Sequence, residues 1–390
     1  MYFGNYRGSF VYLTNENVFL AIMLMLYETI IIYITLFIYT NRKTINKKSN
    51  MAKEIKKAPY KRMNIFPIIF AAIICLDIIA YILVPEIREY YSSIFDVKGT
   101  VMMGMHSNTE DLVVRGTLKR ALFTLFNVTF SFMQVFLSVY ALEKIRNKYG
   151  QRFRSIIMSM PIIFIQFLFM TSENMYTFIV IFVLCLVLCK LYPNRIKTIL
   201  ILIGVLVLSA ISAIMISKSS LISSSDQLGW ESLSMTLQAY FPGVSNMAGV
   251  FNIQNPSKLS TLFYDFYGMI PFRGTLFGLE GEKLVLVYTK SNGPGASSNI
   301  IPCIGQAYHY LGFILAPIIP ASFVVASFKT ICKLNKTLRI YRYVTILMVL
   351  VFTMLTPILY NFAIFGTRYF ATILPMYFIS AFSYKTFYSN

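Results

Sequence analysis

Acid is scarce in this chain. Sixteen Asp and Glu stand against 35 Lys and Arg, and charged residues of both signs make up only 13% of the sequence. That is about half the charged share of an ordinary soluble domain. With 57% hydrophobic residues and a mean hydropathy of +0.64, it excludes a water-soluble fold and points to a membrane protein crossed many times. Histidine is scarcer still. The two present, His106 and His309, match no spacing typical of zinc or calcium ligands, so no metal site is expected, and His106 with Glu110 and Asp111 reads as a solvated loop. Of the five cysteines, Cys75, Cys185 and Cys189 fall in apolar stretches, Cys303 at a boundary and Cys332 in a basic connector, which excludes a disulfide framework. There is no internal repeat. A net charge of +19 could suggest nucleic acid, but the basic residues sit in short connectors without a recognisable nucleic-acid module, so no nucleic-acid partner is expected.

Long hydrophobic runs are plentiful. A membrane-crossing helix needs about 20 mostly apolar residues, because it rises about 1.5 Å per residue and must satisfy its own backbone hydrogen bonds in hydrocarbon. Nine stretches qualify or nearly so: 18–39, 65–84, 121–142, 155–170, 175–191, 198–216, 301–328, 344–365 and 369–384. The fourth and fifth, separated by Thr171-Ser172-Glu173-Asn174, read as a helical hairpin. The expectation is an all-α polytopic membrane domain over residues 1–390 with about nine to eleven transmembrane helices.

Cytoplasmic connectors are enriched in Lys and Arg. The basic runs at 42–62, 144–154, 190–197 and 329–342 fall on alternate connectors, together with Lys385, and only Glu54 and Glu143 oppose them. This places the N-terminus outside, the C-terminus inside and the net charge largely in topology, with attraction to anionic membrane lipids as its by-product. Met1 to Thr14 has no basic stretch followed by an apolar core and is not read as a cleavable signal peptide.

One polar and aromatic insert, residues 218–300, interrupts this pattern on the outer side. Trp230, Leu233, Leu237 and Phe241 recur at helical spacing, as do Leu259, Leu262, Phe263, Phe266, Tyr267 and Ile270. Two amphipathic helices are expected, lying in the interface with the apolar side down or packing on the rim of the bundle. Glu231 and Asp265 would lie on their polar sides, where a solvated charge is the ordinary reading and a catalytic carboxylate the alternative. A Gly- and Pro-rich connector, 291–298, follows and is either a cover for a cleft or slack chain.

The segment Leu237-Gln238-Ala239-Tyr240-Phe241-Pro242-Gly243, followed by Ile300-Ile301-Pro302-Cys303-Ile304-Gly305-Gln306-Ala307-Tyr308-His309-Tyr310-Leu311-Gly312 at the entry to the next span, resembles the Wzy family of polysaccharide polymerases. The likeness is strongest over 155–328 and its motifs are loose. It implies a GT-C-like architecture in the plasma membrane and a glycosyltransferase with an extracytoplasmic active face. The partners implied are a growing glycan on undecaprenyl diphosphate as donor and a single lipid-linked repeat unit as acceptor. A chain-length regulator and a flippase of the same pathway would accompany it. The product would be an O-antigen, capsular or exopolysaccharide, and no cofactor is called for because diphosphate is already a good leaving group.

That chemistry needs cations for the leaving diphosphate, and guanidinium groups bind phosphate oxygens well. On the outer side these are Arg273, Arg368 and Arg115. Arg273 directly follows an amphipathic segment; Arg368 is expected in a short turn between the last two spans, where an interfacial anchor is the alternative. A base must also reach the acceptor hydroxyl. His309, two turns inside the seventh span, fits best, and Tyr240 and Gln238 are placed to hold sugars. Relatives often carry an arginine in the turn between spans four and five, whereas this chain has Glu173 there, so that contact is missing. The intramembrane carboxyls Glu28 and Asp77 keep open a rival class, a flippase or transporter of lipid-linked sugar. A transferase that decorates a glycan from a polyprenyl-phosphate sugar is a third reading.

Overall fold

The computed structural model describes residues 13–46, 66–92, 117–168, 174–205, 243–253, 259–272, 283–293, 296, 300–359 and 361–383. Among these residues the protein is helical, without a β-strand. The helices are α1 (Asn15–Asn46), α2 (Phe66–Leu83), α3 (Pro85–Ser92), α4 (Thr117–Tyr149), α5 (Phe153–Leu168) and α6 (Asn174–Leu191). They continue with α7 (Pro193–Val205), then α8 (Val244–Phe251), α9 (Leu259–Gly268) and α10 (Leu284–Asn292) within the insert. Last come α11 (Cys303–Leu315), α12 (Ile318–Asn335), α13 (Ile340–Leu355) and α14 (Phe362–Ala381), the last with a π turn at Tyr369–Ile373.

Within α1, α4, α12 and α14 lie four segments long and apolar enough to cross a membrane, and α6 with α7, bent by 106° at Tyr192, would make a fifth. The apolar α2, α5 and α13 are shorter. The chain is thus an all-α protein with four or five candidate crossings among the described residues, fewer than the nine to eleven expected. Broken runs account for part of the difference, and residues 206–216 of the sixth stretch lie outside the described residues.

Two of the breaks have clear causes. The seventh stretch is cut at Gly312, whose φ of 77° no helix accommodates, and Pro317 then starts α12. The eighth ends early: Pro357 has no N–H to give to α13, and Asn361 caps the next helix by accepting the Ile364 N–H at 2.9 Å. The chain therefore turns at 356–359, ahead of the Asn361 cap, and not at 366–368. By contrast α4 has neither Gly nor Pro and runs unbroken until Gly150, whose left-handed φ of 66° closes it with an N–H bond to the Arg146 carbonyl.

The main core lies between α4, α6 and α13. Phe136, Val180, Leu184, Leu188, Tyr341 and Phe352 are buried there, with the Phe136 and Tyr341 rings edge to face at 5.3 Å. A second apolar cluster joins α1 to α8, α10 and α11 through Val18, Leu24, Met247, Tyr288 and Ile304. Phe19, Tyr33 and Phe37 project outward from α1, as a surface bathed in acyl chains would allow.

Candidate functional site

The insert helices sit on the bundle. Gly305 of α11 lies so close to α8 that a Cβ there would meet Met247 Sδ and Val250 Cγ2, each at 3.0 Å. Amide side chains then tie the layer together. Asn17 of α1 donates to Asn252 Oδ1 at 2.6 Å, Asn252 donates to Asn292 Oδ1 at 2.7 Å, and Asn292 donates to the Gly249 carbonyl at 2.9 Å. Asn246 Nδ2 reaches the Ile300 carbonyl and Asn361 Nδ2 the Ile301 carbonyl, both at 3.1 Å. The entry to α11 is thereby held from two sides.

Helix α9 does not lie as its sequence pattern suggested. Asp265, expected on a solvated side, is only 4% exposed, and Thr261 one turn earlier is equally buried. The outward side carries Leu259, Phe263, Tyr264 and Phe266. The helix is amphipathic, but its polar stripe faces protein and its aromatic stripe faces away. In a lipid environment this is the favourable sense, because outward aromatic groups need no shielding while a carboxyl needs hydrogen-bond donors.

Asp265 finds those donors in two other helices. The Tyr310 hydroxyl of α11 donates to Oδ2, and the Leu284 N–H, the first of α10, approaches both carboxyl oxygens at 3.3 and 3.4 Å. The carboxyl thus caps α10 from another helix and complements the positive end of its dipole. His309 is the neighbour of Tyr310, with ring centroids 6.1 Å apart, and is 1% exposed. Gln306, one turn before, accepts from the Ala363 N–H of α14 at 3.4 Å.

Helix α9 also reaches α14. Phe266 and Phe370 meet edge to face at 6.0 Å, and Gly366 is pressed on Met269, whose Sδ a Cβ at that position would overlap at 2.0 Å. Arg368 lies two residues beyond Gly366. It is in mid-helix and not in the expected turn, and its guanidinium stands over the Tyr176 ring at 4.9 Å from the centroid. Tyr176 in turn donates to the Ser131 carbonyl at 2.7 Å, so the arginine is braced between α6 and α14.

His309 and Arg368 are therefore carried by the two helices that α9 bridges. Arg273, Arg115, Tyr240 and Gln238 lie outside the described residues, as do Glu231 and the first amphipathic segment at 230–241. The approach to Arg273 is nonetheless visible: Phe272 has a φ of 66°, the one positive value at a non-glycine residue among those described. Such a backbone is costly for a bulky side chain and is retained where the surroundings enforce it.

Of the two intramembrane carboxyls, Glu28 is 9% exposed within the protein, while Asp77 is half-buried and accepts from the Thr129 hydroxyl. Among the described residues no three His, Cys, Asp or Glu side chains come together as a metal site would require. The Asp265 junction is the part that sequence reasoning missed; a carboxyl in the middle of an aromatic helix in a membrane chain was its only signal. Comparison of the chain with protein-family models, curated proteins and solved structures finds no match.

Proposed function

We propose that this chain is a glycosyltransferase of the plasma membrane that polymerises undecaprenyl-diphosphate-linked repeat units on the extracytoplasmic face. One observation supports the reading above others: the insert is seated by α9 across α11 and α14, the helices that carry His309 and Arg368. A polymerase of this kind must bring a base, an anion-binding group and a lipid-accessible rim to one place. His309 is the base, Arg368 a diphosphate contact, and the outward aromatic stripe of α9 the rim. Arg273, a few residues beyond α9 in the sequence, adds a second cation.

In the reaction the acceptor hydroxyl oxygen attacks the anomeric carbon of the donor's first sugar. Its proton passes to the imidazole of His309. The bond between the anomeric carbon and the phosphate oxygen breaks with its electron pair on the departing undecaprenyl diphosphate, and the guanidinium groups stabilise that charge. Asp265 is a positioning residue: it fixes Tyr310 and, through the helix they share, the imidazole beside it.

The test is reconstitution in vesicles with a synthetic lipid-linked repeat unit, read as a ladder of products. His309→Ala is expected to lower the rate by about two to four orders of magnitude, in keeping with loss of general-base catalysis. Movement of the repeat unit across sealed vesicles without chain growth would replace this reading by a flippase, and a single sugar addition would replace it by a decorating transferase.

A further inference from the structure

Three helix segments meet around Tyr377: the last turn of α12, the first turn of α13 and the C-terminal part of α14. Lys333 of α12 and Arg342 of α13 are both drawn to one ring, that of Tyr377 of α14, with Nζ 5.6 Å and Cζ 3.4 Å from its centroid. Arg342 also donates to the Tyr377 carbonyl at 3.1 Å, which fixes the guanidinium in place. Beside them Lys190 of α6 stands over Tyr343 at 5.9 Å. The acid that lies nearby, Glu143, is buried at 5% exposure within electrostatic range of Tyr341 and accepts from Asn147.

Charges that only set topology need to be on the correct side and solvated. Lys333 and Arg342 are instead both held to one aromatic ring, at the end of apolar helices. The arginine spends one N–H on Tyr377, which leaves most of its five donors, and the ammonium adds three. A planar guanidinium and an ammonium on one aromatic ring suit an oxygen-rich monoanion held at a membrane surface.

We infer that Lys333, Arg342 and Tyr377 form a binding site for the phosphate of an anionic lipid head group in the basic, inner leaflet. The site does not depend on the polymerase reading and is tested without it. The full-length protein, purified in mild detergent, is offered phosphatidylglycerol or phosphatidylcholine and examined by native mass spectrometry for retained lipid. Wild-type protein is expected to retain phosphatidylglycerol in preference, and Lys333→Gln with Arg342→Gln to lower that preference about tenfold or more. Tyr377→Leu, which changes no charge, is expected to lower it several-fold, and Tyr377→Phe to keep it. Removing equal charge elsewhere, by Arg195→Gln with Lys197→Gln, should leave it unchanged. The exposed Lys333→Gln alone serves if the double variant does not yield a monodisperse protein. Unchanged preference in the Lys333 variants, an equal loss in the Arg195 variant, an unaffected Tyr377→Leu, or displacement of the lipid by millimolar inorganic phosphate would each overturn the assignment.

Discussion

The core between α4, α6 and α13 and the layer where α8, α9 and α10 meet α11 hold together by different means. The core is apolar, and the polar contacts of the bundle helices are small groups of neutral side chains, such as Ser131 with Thr372 and Ser327 with Thr353, each at 3.0 Å. The insert layer also has apolar packing, but its side-chain hydrogen bonds form connected sets, and one of them contains a carboxyl. In a bilayer, helices gain little from leaving lipid for protein, so close packing and hydrogen bonds carry association. A neutral pair can be lost at small cost. A carboxyl shared by three helices cannot, because each donor it serves is stranded with it.

The sharpest way to break the contrast is Asp265→Ala. It leaves the Tyr310 hydroxyl and the Leu284 N–H without their acceptor in a buried site, a loss of about 3–5 kcal/mol from the insert layer. Limited proteolysis in detergent should show cleavage in the insert at protease levels that leave the α4–α6–α13 core intact. Asp265→Asn keeps an acceptor oxygen and should lie between. Simultaneous cleavage of core and insert would mean that the two regions are one cooperative unit and would remove the distinction.

A smaller effect is expected at the second point where α9 is seated. Gly366→Ala gains about 1 kcal/mol of helix propensity but forces Met269 aside, an overpacking cost of about 1–3 kcal/mol. The net change should be destabilising by about 1 kcal/mol in the wild-type background and stabilising when Met269→Ala has made room. Thermal unfolding of the four proteins of that cycle measures it. No rescue by Met269→Ala would show that α9 is not pressed on α14 at this glycine.

The bundle helices were legible in the sequence because their apolar runs are long and Gly and Pro are absent where they continue, as in α4. Their breaks were legible in principle: Gly312, Pro317, Pro357 and the Asn361 cap are all standard punctuation, but a hydropathy window averages over single residues. The insert is a different case. Periodicity correctly gave a helix over Leu259–Gly268 and could not say which stripe faces protein, since water and lipid call for opposite answers. Nor could spacing join Asn17 to Asn252, 235 residues apart, when asparagines in loops read as turn formers. Of the candidate site residues, His309 was singled out because an imidazole in an apolar stretch is conspicuous, and it lies buried in α11. Asp265 was placed on the wrong side.

The smallest expected effect tests the other half of the comparison. Gln134 of α4 donates to Gln166 Oε1 of α5 at 2.7 Å, and Gln166 donates to the Ser138 hydroxyl at 3.0 Å, all neutral groups between two helices. Gln166→Leu strands the Gln134 amide and should cost roughly 1 kcal/mol. Adding Gln134→Leu should return most of that, because two leucines at an apolar helix pair leave nothing unsatisfied. The matching pair in the insert, Asp265→Ala with Tyr310→Phe, should not recover, since the Leu284 N–H still lacks its acceptor. Measured as two thermal-unfolding cycles, recovery in the first and none in the second is the outcome that a pairwise contact and a shared carboxyl require. Equal recovery in both would reduce the Asp265 junction to one more neutral pairwise contact.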